Sequence, residues 1–189
     1  MIFNDTSSPI RLIETRRSAK PRDMVPPGPD AAQLERILRA AIRVPDHGKL
    51  SPWRIVVIGK DQRDPLAALL CRSLNVEDST ALRHFAHQGE TLLVVLSRPV
   101  EHKVPRWEQQ LSAGALCMNI LVATHALGFT GCWLTGSPAY SAAIRDAFGE
   151  PGDNIAGFIF IGSPGRDLEE RPRPDYDAVV SKWDGEVRA

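Results

Sequence analysis

The longest apolar stretch of the chain runs from Leu111 to Leu127, LSAGALCMNILVATHAL, broken only by Ser112, Gly114, Asn119, Thr124 and His125. No Asp, Glu, Lys or Arg stands between Gln110 and Gly128. A surface helix sets an apolar stripe against a charged face, so this helix is expected to be buried nearly all round, as the spine of a domain core. A membrane span needs about 20 uninterrupted apolar residues, more than this run offers. Ser112, Ala113, Gly114 and Ala115 are small enough to let another backbone or a flat ligand come close. Gly128 supplies a C-terminal cap, and Phe129 to Leu134 reads as a strand.

Before this helix the pattern alternates between short helices and strands. Pro9 to Arg16 is a first helix with proline near its start, and Pro21, Pro26, Pro27 and Pro29 keep the next segment extended. Asp30 and Gln33 form a capping box for a helix whose stripe is Leu34, Ile37, Leu38, Ala41 and Ile42; Pro45 stops it. The β-branched run at 54–59 suits a strand, helices follow at 65–74 and 80–88, and TLLVVLS at 91–97 is an inner strand with both faces covered. Beyond Trp133 the pattern predicts a helix at 139–148 and a last strong strand at 154–161.

Such an order fits a layered α+β or α/β sheet domain, and 189 residues make one domain the simplest organisation, 1–189. Residues 166–189 are charged and proline-rich, too polar to form a core. Tyr176, Val179, Val180 and Trp183 give this extended tail a means of anchoring on a neighbour.

Composition narrows the function classes. Lys plus Arg and Asp plus Glu both total 23, so the basic excess of a dedicated nucleic-acid binder is missing. The first 17 residues lack a charged n-region followed by an apolar h-region. Cys71, Cys117 and Cys132 form no CxxC and no even set. No nucleic acid, no membrane and a cytoplasmic location are the expectations.

Three stretches carry candidate chemistry. Arg16, Arg17, Ser18 and Lys20 put three cations and a hydroxyl within five residues, a donor set that suits a phosphate; paired arginines at a helix end also suit a solvated face on the helix dipole. Arg43 to Trp53, RVPDHGKLSPW, is an irregular loop bearing His47 and Lys49, where binding residues often lie. His84 and His87 lack further metal-ligand partners, so no metal site is expected. GFTGCWLTG at 128–136 does not have dinucleotide-fingerprint spacing, and Cys117, inside the apolar helix, reads as a structural thiol.

RRSAK at 16–20, RAAIRVPDHGKLSPWRIVVI at 39–58, HKVPRWEQQLSAG at 102–114 and ALGFTGCWLTG at 126–136 together resemble the nitroreductase family of flavin enzymes, in its short single-domain branch. The resemblance implies an α+β fold with a central mixed β-sheet flanked by helices and a long buried dimer-core helix. It implies a homodimer holding two FMN molecules at its interface. By that likeness Arg16, Arg17 and Ser18 contact the phosphate, ribityl chain and ring edge of FMN, and Lys20 lies beside the pyrimidine. Arg43 and His47 reach the FMN of the other subunit, and Trp133, Leu134 and Thr135 line the flavin.

Many relatives carry Ser, Asn and Gln where this chain has Asp46, Lys49 and Ser51, and Arg173 resembles a late phosphate-contacting arginine of other branches. The implied activity is hydride transfer from NADH or NADPH through flavin N5 to a small-molecule electron acceptor, a nitroaromatic or quinone, by a ping-pong mechanism that needs no catalytic side chain. The alternatives are a flavin-binding or regulatory protein without turnover, and a specialised flavin enzyme with another acceptor.

Overall fold

A computed structural model describes residues 3–185. Helices α1 (Pro9–Thr15), α2 (Ala31–Ala41), α3 (Arg63–Ser73), α4 (Thr80–His87), α5 (Arg106–Ala126), α6 (Ala142–Phe148) and α7 (Tyr176–Val179) accompany strands β1 (Met24–Val25), β2 (Trp53–Ile58), β3 (Thr91–Ser97), β4 (Thr130–Leu134) and β5 (Asn154–Pro164). Asp30 and Gln33 form the expected capping box at α2. At the end of α5 the Gly128 and Phe129 amides donate to the carbonyls of His125 and Thr124, the paired bonds of a Schellman cap, with Gly128 at φ +87°.

The architecture is three-layered. Even-numbered β3 side chains Leu92, Val94 and Leu96 join Phe158 and Phe160 of β5 in one core, closed by Leu66 and Leu70 of α3, Ala86 of α4 and Ile144 of α6. Odd-numbered Leu93 and Val95 join Ile159 and Ile161 in a second core, closed by Ile37 of α2 and by Leu116, Cys117, Ile120 and Leu121 of α5. The period-two alternation of a strand sends neighbouring side chains to opposite layers, so β3, buried on both faces, is apolar from Leu92 to Leu96.

The fold class is α+β, as expected, but every strand pairing among the described residues is antiparallel rather than mixed. Two helices, α3 and α4, connect β2 to β3 and return the chain in the opposite direction. The single helix α5 connects β3 to β4, which therefore run the same way; β5 lies between them, antiparallel to both. The same-direction strands are thus never neighbours.

Other boundaries also move. The helix expected at 139–148 divides into a 3-10 turn (Ser137–Tyr140) and α6, because Ser141 caps α6 through the Ile144 amide. The proline-rich segment contains a 3-10 turn (Pro21–Asp23) and then β1, which pairs with the end of β5. The helix expected to be buried nearly all round is covered by its own chain on one side only. In the single chain α5 buries Ser112, Ala113, Leu116, Cys117, Ile120 and Leu121, while Trp107, Leu111 and Met118 are 66%, 53% and 36% exposed. Their spacing places them on one face, where Gly114 has no neighbour that an added Cβ would meet. No helix of the described residues is long and apolar enough to cross a membrane.

Candidate functional site

The best-built polar corner lies where α1 ends, beside the start of β4. Arg16 follows the helix as its C-cap; its Nη2 donates to Ser18 Oγ at 3.0 Å, and its buried Nε has no hydrogen-bond partner. Burial, followed by the positive charges of Arg173 and Arg171, lowers the Arg16 pKa, although Glu170 opposes this. A half-buried guanidinium with an unmatched donor and cationic neighbours suits an anion. Ser18 and Lys20 line one cavity of about 190 Å³ with Asp23 and residues 166–172 of the tail.

Arg17 is differently engaged. Its Nε pairs with Glu170 at 2.8 Å and its Nη1 donates to the Leu168 carbonyl at 2.9 Å, so it holds the tail against the body. Glu170 is also 2.6 Å from Arg173. Its carboxyl is held below the usual range first by its hydrogen bond to Arg17 and then by Arg173. Glu170 thus bridges two guanidinium groups, and Asp23, Asp167 and Glu169 line the neighbouring cavity beside Lys20, Arg166 and Arg171.

Trp133, Leu134 and Thr135 stand at the other end of β4. Four residue steps separate Thr130 from Leu134, roughly 13 Å at strand rise. Trp133 lays its indole across β5, donating Nε1–H to the Ala156 carbonyl at 2.9 Å, and a Cβ at Gly157 would collide with that ring. Gly157→Ala is therefore expected to displace Trp133 and to cost about 1–3 kcal/mol, the range for overpacking; denaturant unfolding and the tryptophan emission spectrum check it.

Arg43 and His47 lie apart from the Arg16 corner in the single chain. Arg43 borders an open groove with Arg36, Arg39, Ala40, Ile42 and Val44, and its carbonyl accepts from Asn119 Nδ2 of α5. His47 Nδ1 lies 2.6 Å from Glu108 Oε2 in the first turn of α5. Glu108 is a partner that sequence reasoning missed, because the loop and the helix meet only in the fold, 61 residues apart.

The loop bearing His47 is shaped by its own residues. Asp46 spends both carboxylate oxygens on the amides of Leu50 and Ser51, at 3.0 and 2.8 Å, while Lys49 and Ser51 adopt φ of +54° and +46°. Such left-handed conformations cost energy in non-glycine residues and persist only when the surroundings impose them. Ser112 Oγ accepts from the Trp53 indole and donates to the Pro45 carbonyl, tying both loop ends to α5. Asp46→Ala is expected to destabilise the protein by about 1–3 kcal/mol, the worth of one or two such bonds, measurable as a lowered denaturation midpoint.

The remaining candidates are quiet. Burial pushes the Cys117 thiol up to about 12, which makes it inert. No cluster of three or more metal-ligating side chains occurs among the described residues.

With this geometry in place, the sequence pattern of the Nitroreductase family matches residues 13–163. The chain belongs to the nitroreductase family. The Escherichia coli (strain K12) protein named "Putative NAD(P)H nitroreductase YdjA" is 36% identical over 162 residues, covering 82% of this chain and 87% of its own. The nitroreductase-like family protein from Bacillus cereus superposes with a TM-score of 0.82 at 20% identity, over 95% of this chain and 97% of its own. A nitroreductase from Bacteroides fragilis, solved with bound FMN, does so with a TM-score of 0.70 at 18% identity, over 93% and 100%. These likenesses establish the nitroreductase-like fold. The matched segment includes Arg16 to Lys20 and Trp133 to Thr135, and it stops short of the tail.

Proposed function

We propose that this member of the family is an FMN-dependent oxidoreductase that draws on NADH or NADPH to reduce a small acceptor such as a nitroaromatic or quinone. The observation that carries this reading is the buried, unpartnered Nε of Arg16, hydrogen-bonded through Nη2 to Ser18 and crowded by Arg171 and Arg173. That donor set fits a phosphate, because a guanidinium fork and a hydroxyl match its oxygens. Arg16 and Ser18 would hold the phosphate and ribityl end, with Arg17 securing the tail and completing the positive corner. Lys20, on the same cavity as Ser18, would place its ammonium beside the pyrimidine, where it favours the negative charge of the reduced ring. Trp133, Leu134 and Thr135 would line the isoalloxazine at the far end of β4.

FMN, when bound, supplies the two-electron chemistry, accepting a hydride at N5 and passing reducing equivalents to the acceptor. The protein's part is to bind, orient and exclude competing reactions, so no side-chain acid or base is assigned for hydride acceptance.

The reading includes a homodimer. The exposed stripe of Trp107, Leu111 and Met118 on α5, with open space at Gly114, would be covered by a second copy, and Arg43 and His47 would reach the partner's flavin. Tyr176, Val179 and Trp183 of the tail, exposed in the single chain, would pack on the partner, making 1–189 one domain with a partner-embracing extension. A reducing cytoplasm suits the three free cysteines. Steady-state rates with NADPH or NADH against a nitroaromatic test the reaction order. Parallel lines in double-reciprocal plots are expected, and intersecting lines would rule out the ping-pong sequence.

A further inference from the structure

His125 has no part in the reading above, yet it is fully buried near the end of α5. Its Nδ1 lies 2.7 Å from the Leu121 carbonyl, one helical turn back, and its Nε2 lies 2.9 Å from the Arg17 carbonyl. That second carbonyl sits within the Arg16–Ser18 stretch. It also accepts from Thr130 Oγ1 of β4, at a longer 3.3 Å. The ring is the shorter of two ties that fix the backbone carrying Arg16 to α5 and β4, with Phe3 edge-on to it at 6.2 Å between centroids.

We propose that His125 is a positioning residue for the anion corner: its Nε2–H holds the Arg17 carbonyl and so aims the Arg16 guanidinium and Ser18 hydroxyl. This rests on the reading of that corner as the FMN phosphate site. A neutral imidazole has one N–H, and the ring faces two carbonyl acceptors, so only the imidazolium satisfies both. Burial is the largest influence on the ring and lowers its pKa; the two carbonyls raise it, and the charge of Arg16 lowers it again. Arg16 is the charged group facing the ring, and the Leu121 and Arg17 carbonyls, the Thr130 hydroxyl and the Phe3 ring are its other named neighbours.

An anion bound at Arg16 cancels the opposing charge. Anion binding and ring protonation therefore favour each other, by linkage. The sign follows: burial holds the ring pKa below the ordinary imidazole value in the flavin-free protein, phosphate binding raises it, and the His125-dependent part of FMN affinity grows as pH falls.

The test compares wild type, His125→Gln and His125→Phe, titrated with FMN and with riboflavin, which lacks the phosphate, at pH 8 and pH 6. His125→Phe is expected to raise the FMN Kd roughly tenfold, the worth of one lost hydrogen bond, and to leave the riboflavin Kd within about twofold. His125→Gln, which keeps an N–H donor, recovers part of the loss. The gap between wild type and His125→Phe for FMN is wider at pH 6 than at pH 8. Equal losses for both flavins, or no loss for either, would overturn the proposal.

Amide hydrogen exchange in the flavin-free full chain keeps the two readings separable. If wild type binds neither flavin, the FMN assignment fails. The clamp is then judged on exchange at residues 16–20: faster exchange there in His125→Phe supports it, and unchanged exchange overturns it.

Discussion

Leu111→Glu is expected to leave the protein monomeric and unable to retain FMN. Leu111 is 53% exposed in the single chain, so a carboxylate there costs the isolated fold little. Inside a covered α5 stripe the same carboxylate would face Trp107, Met118 and their copies without a cation, a desolvation cost of several kcal/mol, enough to abolish a dimer of ordinary affinity. Size-exclusion chromatography with light scattering checks it. Wild type is expected near twice the chain mass of 20.8 kDa and the variant near 20.8 kDa, colourless. A variant that stays dimeric would place the subunit contact elsewhere.

Arg16→Ala is the second large effect. The guanidinium is half-buried, and its Nε has no partner within the chain, so a phosphate there would gain charged hydrogen bonds worth roughly 1.5–3 kcal/mol each. Losing one weakens FMN binding by about tenfold to a hundredfold. Thermal stability should barely fall, because the Arg16 side chain makes one hydrogen bond, to its neighbour Ser18. Fluorescence titration of the flavin-free protein measures the affinity, and an unchanged Kd would remove Arg16 from the site.

Much of the fold was legible because local signals and burial agree. Asp30 and Gln33 sit at capping-box spacing and form that box; TLLVVLS is apolar in both phases from Leu92 to Leu96 and is buried on both faces; Gly128 ends α5 with φ positive. Strand direction was not legible. It depends on whether one helix or two bridges successive strands, and on β5 inserting between β3 and β4 from 20 residues further along the chain. The two-residue β1 could not be seen either, since its partner lies at the far end of β5.

The expectation that α5 is buried nearly all round does not distinguish the stripe that is exposed in the single chain. A continuous run of apolar residues carries no mark of which molecule would cover each face. Leu111 and Met118 of that run, with Trp107 one turn before it, form the stripe that this chain does not cover.

The site was legible as residue types and not as partnerships. Arg16, Arg17, Ser18 and Lys20 were identifiable as a phosphate-suited set; the fold brings Ser18 to Arg16, and Lys20 shares a cavity with Ser18. Within the chain Glu170 and Leu168 engage Arg17, contacts that its place in the flavin motif did not reveal. Glu108, His125 and Thr130 carry no local motif. Each acts through a contact made across the fold, which sequence spacing does not encode. Asp46 was legible only as a departure from relatives; its carboxylate serves the loop's own amides.

The most direct test of the central claim is the visible absorption spectrum of the protein incubated with FMN and freed of excess, recorded before and after anaerobic addition of NADPH or NADH. A yellow protein with one flavin per chain is expected, bleached by the nicotinamide and restored by a nitroaromatic or quinone. A chain that emerges colourless after loading, or a bound flavin that neither nicotinamide bleaches, would contradict that claim.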